Sequence, residues 1–255
     1  MRVSFADGVV VADAVAQAAD ILRREGVVVL DNLVDPRSLE ACRHEIVANY
    51  PLYAQPDADL YLGSFVGRHT MPLVIDGLLS KRSIFAPRPI RDIGTALLGP
   101  HTILESLGLL VSIPGAPDQG LHFDGLLYGE TQLDRVLPPF AISIAIPLVQ
   151  LDEVNGTTAF WRRSHREAFR QGPPDFVPFM PVGSAVIWDF RTIHSGRANL
   201  GEAPRPILFS VHSRDWWQEP KTKARAYRKL QIARAVYDGF GARMRAFTTR
   251  ADIVE

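Results

Sequence analysis

The chain has 255 residues, of which 47% are hydrophobic and 22% charged, a composition typical of a globular protein with a sizeable core. Its 28 basic residues balance 28 acidic ones, so no overall field favours nucleic acid or an anionic membrane surface as a partner. The single cysteine, Cys42, excludes an intrachain disulfide and a cysteine-rich zinc site. Residues 1–26 lack a long apolar run and predict neither a secretory signal nor a membrane span, so the cytoplasm is the expected location.

The chain opens with a predicted helix and a short strand. Residues 14–24 carry apolar side chains at helical spacing, with Asp13 as the expected N-cap and Gly26 at the C-cap position. The β-branched run that follows, residues 27–30, predicts a buried strand.

A second helix is predicted over residues 37–49, with Asp35 as its N-cap and Pro36 in its first turn. Residues 50–90 are rich in proline, glycine and aromatic side chains, and they predict long loops with a short helix or two. Loops of this length often close over a binding site.

From about residue 101 the pattern changes to short β runs separated by glycine and proline turns. Such runs favour a sandwich or barrel over a doubly wound sheet. The predicted strands are residues 103–113, 141–151, 157–161, 184–190 and 207–214. Residues 221–250 return to a helical pattern, and their many lysines and arginines indicate a solvated helix face.

Three side chains from two distant segments form a candidate metal site. If residues 119–124 are extended, His122 and Asp124 project from the same face, since side chains alternate along a strand. His194 follows an apolar strand-like run, and from there it can point into a cavity. Two histidines and one carboxylate suit iron(II) and leave three coordination positions open. Zinc more often takes a tetrahedral set.

Arg205 lies eleven residues beyond His194, at the start of an apolar strand-like run. A guanidinium at such a position needs a partner, and a carboxylate fits its fork best. The carboxylate could belong to the protein, as a salt bridge, or to a ligand. A dicarboxylic keto acid would satisfy both the metal and Arg205.

With these residues in place, the sequence resembles the phytanoyl-CoA dioxygenase family of iron(II)/2-oxoglutarate oxygenases over roughly residues 12–215. Besides the histidines, Asp124 and Arg205, the resemblance rests on four features. They are an opening helix and strand at residues 22–31, an Asn-Gly to Ser-His segment at residues 155–165, Gly183 eleven residues before His194, and Asn199 between His194 and Arg205.

The resemblance implies a mainly β fold with flanking helices around a double-stranded β-helix, the jelly-roll core of cupins. It implies one domain over residues 1–255, with a helical N-terminal part at about 12–100, a jelly-roll core at about 101–215 and a helical tail at about 221–250. His122, Asp124 and His194 map to iron ligands, and Arg205 maps to the residue that binds the distal carboxylate of 2-oxoglutarate. Gln119 and Thr158 map to positions that help to bind this cosubstrate.

The expected function is therefore oxidation of an unactivated C–H bond of a small organic molecule by iron(II), 2-oxoglutarate and dioxygen. Hydroxylation is the default outcome, and a tailoring step in secondary metabolism is the expected setting. Phe123 and Tyr128, close to the metal ligands in sequence, and His69, in the unassigned loops, are candidates to contact the substrate. The alternatives are a cupin-like non-redox metalloenzyme and a catalytically silent family member that acts as a binding or heterodimer subunit.

The sequence departs from the family pattern in three places. Gly183 is followed by Ser184 rather than by aspartate, and Arg162 and Arg163 stand where relatives usually have Pro-Gly before Ser-His. Many relatives carry a hydroxyl two residues after the distal histidine, and this chain has Gly196 there. These departures leave details of the cosubstrate contact open.

Overall fold

The computed structural model describes residues 1–6, 10–51, 53–54, 66–167, 172–218 and 230–255. Within these ranges the strands are β1 (Arg2–Ser4), β2 (Val27–Asp31), β3 (Arg68–Pro72), β4 (Val74–Ile75), β5 (Thr102–Ser112), β6 (Ala141–Pro147), β7 (Thr158–Phe160), β8 (Ala185–Asp189), β9 (His194–Gly196), β10 (Arg205–Arg214), β11 (Gln231–Ala233) and β12 (Asp252–Val254). The helices are α1 (Val11–Glu25), α2 (Pro36–Asn49), a 3-10 turn (Gly77–Ser80), α3 (Arg82–Phe85), α4 (Arg88–Leu98), α5 (Gln132–Val136), α6 (Arg234–Asp238) and α7 (Ala242–Phe247).

Seven strands form the main sheet in the order β1-β2-β8-β6-β10-β5-β3. Strand β1 pairs with β2 in parallel, and the other neighbours pair antiparallel. Strands β7 and β9 form a small antiparallel sheet, and β12, β11 and β4 form a parallel one at the periphery. The prediction of a mainly β protein with flanking helices is confirmed.

Side-chain alternation along the main sheet separates two hydrophobic cores. On β10, Leu208 packs into the core under the helices, whereas Ile207 packs into a second core together with Trp188 of β8 and Phe160 of β7. Because Phe160 belongs to the small sheet, this second core lies between the two sheets. The alternation therefore directs one face of each central strand towards the interior of a barrel-like space.

The helix boundaries follow local capping chemistry. Asp35 accepts hydrogen bonds from the backbone N–H groups of Arg37 and Ser38, as predicted for the N-cap of α2. Gly26 ends α1 in the left-handed region with φ +81°, as predicted for its C-cap. The prediction of Asp13 as N-cap is wrong, because α1 begins one turn earlier, with Val10 at that position.

Two regions differ from the predicted elements. Residues 68–72, predicted as loop, are β3 and extend the main sheet beside β5. In the tail, residues 219–229 lie outside the described residues, and the part after them contains β11 and β12 as well as two short helices. The main sheet takes strands from both sides of residue 100, and the single-domain assignment stays a prediction.

Cys42 lies on the buried face of α2 and is fully covered. Burial, with a smaller contribution from Glu45, raises the pKa of its thiol to about 11. In the part of the chain that the structure describes, no helix has the length and apolar character needed to cross a bilayer.

Candidate metal centre

The three predicted metal ligands converge at the mouth of the space between the sheets. His122 and His194 are bridge partners, and each backbone N–H donates to the other residue's carbonyl, at 3.1 and 2.8 Å. The ligand atoms of His122, Asp124 and His194 all lie within 4.8 Å of one another, and His194 Nε2 is 3.9 Å from Asp124 Oδ1. Asp124 lies at a bend two residues after His122, and its carboxylate comes beside both imidazoles.

Backbone carbonyls orient both imidazole rings. His122 Nδ1 lies 2.9 Å from the carbonyl oxygen of Gly120, and His194 Nδ1 lies 2.9 Å from that of Thr192. A carbonyl oxygen only accepts, so each Nδ1 carries the proton and donates it. This tautomer leaves the lone pair on Nε2, the arrangement of metal-binding histidines.

The carboxylate of Asp124 is held asymmetrically. Its Oδ2 accepts hydrogen bonds from Ser143 Oγ at 2.6 Å and from Trp188 Nε1 at 2.9 Å. The backbone N–H of Asp124 donates to the carbonyl of Phe190 at 2.9 Å. Protein groups therefore engage Oδ2, while Oδ1 faces His194.

A cavity opens beside the three side chains, between the main and small sheets. Gln119 and Thr158, both predicted near the cosubstrate, contribute to its wall. The remaining lining combines five polar residues, among them the three candidate ligands, with five apolar or aromatic ones. It comprises Arg68, Thr70, Leu110, Ala145, Trp188, Ile207 and Phe209, together with His122, Asp124 and His194.

Arg205 lies on the same face of β10 as Ile207, but behind the cavity wall rather than in it. Its guanidinium donates to the carbonyls of Asn155 and Arg197 and, at 2.8 Å, to Ser112 Oγ. Its Nε has no hydrogen-bond partner among the described residues. Burial, followed by the charge of Arg68, lowers the pKa of Arg205 to about 10.

Arg68 of β3 is a cavity residue that the sequence did not single out. Arg68 is buried. In the main sheet, Arg68 of β3 and Arg205 of β10 lie on either side of Ser112 of β5 and are both its register partners. Its guanidinium donates to the carbonyls of Pro117, Gly196 and Arg197, and its Nε has no partner among the described residues. The local sequence carried no signal for Arg68, because its neighbours His69 and Thr70 are polar as well.

Gly196, where many relatives have a hydroxyl-bearing residue, leaves a space that two other side chains occupy. Its backbone N–H donates to Gln119 Oε1 at 2.9 Å. A Cβ at residue 196 would overlap Gln119 Oε1 and lie 3.4 Å from Arg68 Nε. The missing side chain thus makes room for an amide and a guanidinium where relatives have a hydroxyl.

The structure places the three substrate candidates away from this cavity. Phe123 alternates with the metal ligands and lines a separate cavity on the other side of their segment, beside Arg191. His69 alternates with the cavity residues of β3 and is buried on the opposite face of the sheet. Tyr128 is 51% exposed, and its backbone N–H donates to the carboxylate of Asp134. A contact of any of the three with substrate stays a prediction.

A buried ion pair fixes the segment that follows Asp124. Arg191 donates from Nε and Nη2 to the carboxylate of Asp189, at 2.8 and 2.7 Å. Its Nη1 donates to the carbonyls of Asp134 and Leu137. The strand end before His194 is thereby tied to the connection between Asp124 and β6.

Two sheets around a cavity, with two imidazoles and one carboxylate directed to a common point, define the class of mononuclear non-haem iron oxygenases. The sequence profile of the phytanoyl-CoA dioxygenase family matches residues 22–207. The chain belongs to this family, and the predicted enzyme class, a 2-oxoglutarate-dependent iron dioxygenase, is confirmed.

Individual relatives agree with this assignment. Dioxygenase cdmA of Talaromyces verruculosus is 28% identical over 213 residues, which cover 77% of this chain and 72% of that protein. The epimerase SnoN from nogalamycin biosynthesis superimposes with a TM-score of 0.61 at 17% identity, covering 84% of this chain and 89% of SnoN. HygX from Streptomyces hygroscopicus, with nickel and 2-oxoglutarate bound, gives 0.61 at 15% identity, covering 80% and 88%. The predicted jelly-roll core is confirmed.

Proposed function

We propose that His122 Nε2, Asp124 Oδ1 and His194 Nε2 bind iron(II), and that the protein oxidises an unactivated C–H bond of a small organic molecule. The main observation behind this proposal is that the ligand atoms of the three side chains lie within 4.8 Å of one another. In addition, both Nδ1 protons are directed to backbone carbonyls. Hydroxylation is the simplest outcome of this chemistry. Desaturation, cyclisation or epimerisation requires only a different fate of the substrate radical.

The donor set fits iron(II) better than zinc. Two imidazoles and one carboxylate leave three positions for exogenous ligands, whereas structural zinc takes four protein ligands. Among the described residues, the cluster contains no fourth His, Cys, Asp or Glu. When bound, iron(II) supplies the activation of dioxygen, coupled to oxidative decarboxylation of the keto acid.

Arg68 and Arg205 provide the positive charge for the distal carboxylate of 2-oxoglutarate. Both guanidinium groups are buried, they flank Ser112, and each retains an unpartnered Nε. The two buried guanidinium groups repel each other, and the charge of Arg68 contributes to lowering the pKa of Arg205. A carboxylate would compensate both charges, and Gln119 and Thr158 add polar contacts at the same cavity.

The apolar part of the wall serves to keep water from the reacting centre. Leu110, Ala145, Ile207 and Phe209 line the cavity, and their side chains offer no hydrogen bond to water. The small-molecule substrate belongs, in this proposal, to secondary metabolism. SnoN, which acts in nogalamycin biosynthesis, supports that setting by its shared fold.

The test uses the metal-free protein under anaerobic conditions. Addition of iron(II) and then 2-oxoglutarate should produce a weak visible charge-transfer band. Asp124→Ala should abolish the band, whereas Asp92→Ala, which removes a carboxylate from a surface ion pair, should retain it. A folded wild-type protein whose spectrum does not change would contradict the proposal.

A further inference from the structure

We infer that Trp188 and Ser143 are positioning residues that fix Asp124 so that it binds the metal through Oδ1 alone. The inference rests on the proposed role of Asp124 as a ligand. It adds a function for two residues that do not themselves bind metal or keto acid.

The two donors are placed side by side by the main sheet. Ser143 of β6 and Trp188 of β8 are direct register partners in an antiparallel pair. Both are buried, with 0% and 3% of their surface exposed, and both direct a donor to the same oxygen of Asp124. Their spacing is therefore set by the ladder rather than by flexible loops.

The hydrogen bonds determine how the carboxylate can bind. A carboxylate oxygen has two in-plane lone pairs, and on Oδ2 both are engaged, by Ser143 Oγ and by Trp188 Nε1. Oδ1 is directed to the side of His194, 3.9 Å from its Nε2. A carboxylate that bound through both oxygens would occupy one of the positions that the keto acid and dioxygen need.

Trp188 also contacts a second ligand. Its ring lies 5.1 Å from the imidazole of His194, tilted by 57°, and Phe160 packs 5.5 Å from the indole. One side chain thus orients two of the three donors, by a hydrogen bond to Asp124 and by packing against His194. Trp188→Phe would retain most of this packing, and it would remove only the N–H donor and one of the two fused rings of the indole.

The experiment compares Trp188→Phe and Ser143→Ala with the control variants Trp217→Phe and Ser213→Ala. Trp217 is a buried indole that packs on Phe140 and Phe190, and the Ser213 hydroxyl has no hydrogen-bond partner among the described residues. Cobalt(II) is titrated into each metal-free protein without keto acid, and the iron(II)–2-oxoglutarate charge-transfer band is recorded separately under anaerobic conditions.

Both test variants should bind cobalt(II) roughly 10- to 100-fold more weakly than wild type, the usual effect of removing a group that orients a ligand. Their charge-transfer band should move to longer wavelength. Without hydrogen bonds to Oδ2, the carboxylate carries more negative charge on Oδ1 and donates more of it to the metal. The control variants should match wild type in both measurements. Ser143→Thr, which keeps the hydroxyl, should restore the band position.

The outcomes separate this inference from the proposed function. Wild-type protein that binds no cobalt(II), or binds it equally well after Asp124→Ala, would overturn both. Wild type that binds through Asp124, with Ser143→Ala unchanged in affinity and band position, would overturn the inference alone. Ser143→Ala removes a single atom, so it decides the question even if Trp188→Phe fails to fold.

Discussion

Replacement of Arg68 by methionine should weaken the binding of 2-oxoglutarate. The guanidinium lies in the cavity wall with one N–H unpaired among the described residues, so a carboxylate there would gain a charge-assisted hydrogen bond. Such a bond contributes about 1.5–3 kcal/mol. At about 1.4 kcal/mol per tenfold change, the dissociation constant should rise by roughly 10- to 150-fold.

The assay is an anaerobic titration of 2-oxoglutarate into the iron(II) protein, followed by the charge-transfer band. Arg214→Met is the matched control, because Arg214 also donates to two backbone carbonyls but lies at the other end of β10 from Arg205. Arg205→Met should weaken binding by a smaller factor than Arg68→Met, because Arg205 lies behind the cavity wall and acts through its charge. Unchanged affinity in folded Arg68→Met, or an equal loss in Arg214→Met, would refute a direct role for Arg68.

Three further predictions follow from the structure. Gly196→Ser should weaken 2-oxoglutarate binding in the same titration, although it restores the family's hydroxyl, because the new Cβ displaces the amide of Gln119; tighter binding would contradict this. Burial, with a smaller contribution from a nearby arginine, lowers the pKa of His212 to about 3. In the unfolded chain His212 is protonated below about pH 6.5, whereas the buried imidazole of the folded protein stays neutral. The free energy of unfolding is therefore highest above pH 6.5 and is lower by about 2 kcal/mol at pH 5. Urea unfolding at pH 7 and 5 should show a smaller difference in His212→Gln, and an equal difference would exclude this histidine. Arg191→Met should lower the free energy of unfolding by about 3–5 kcal/mol, because it leaves Asp189 buried without its partner; Asp189→Asn in the same background should recover part of the loss in urea unfolding.

The sequence predicted those parts of the molecule that local patterns determine. Asp35 and Gly26 mark helix ends through chemistry that acts within a few residues, and both were placed correctly. The period-two spacing of His122 and Asp124 directed both to one face, which the structure reproduces. His194 could be joined to them because an apolar run, β8 in the structure, ends a few residues before it.

What the sequence missed depends on long-range pairing. Strand β3 is short and carries polar residues on its inner face, so its membership of the sheet depends on β5, more than thirty residues away. Arg68 was overlooked for the same reason. Register likewise brings Ser143 opposite Trp188, and nothing in the local sequence of either strand indicates that both donors meet at one oxygen of Asp124.

The covered thiol on α2 has a practical consequence for handling the enzyme in air. Iron and dioxygen together generate peroxide, and peroxide oxidises cysteine through its thiolate. With a pKa of about 11, only about one Cys42 in ten thousand is ionised at pH 7, and the side chain is screened from solvent. Purification without reducing agents should therefore give no disulfide-linked dimer, and activity lost during storage should return on adding fresh iron(II) rather than thiol.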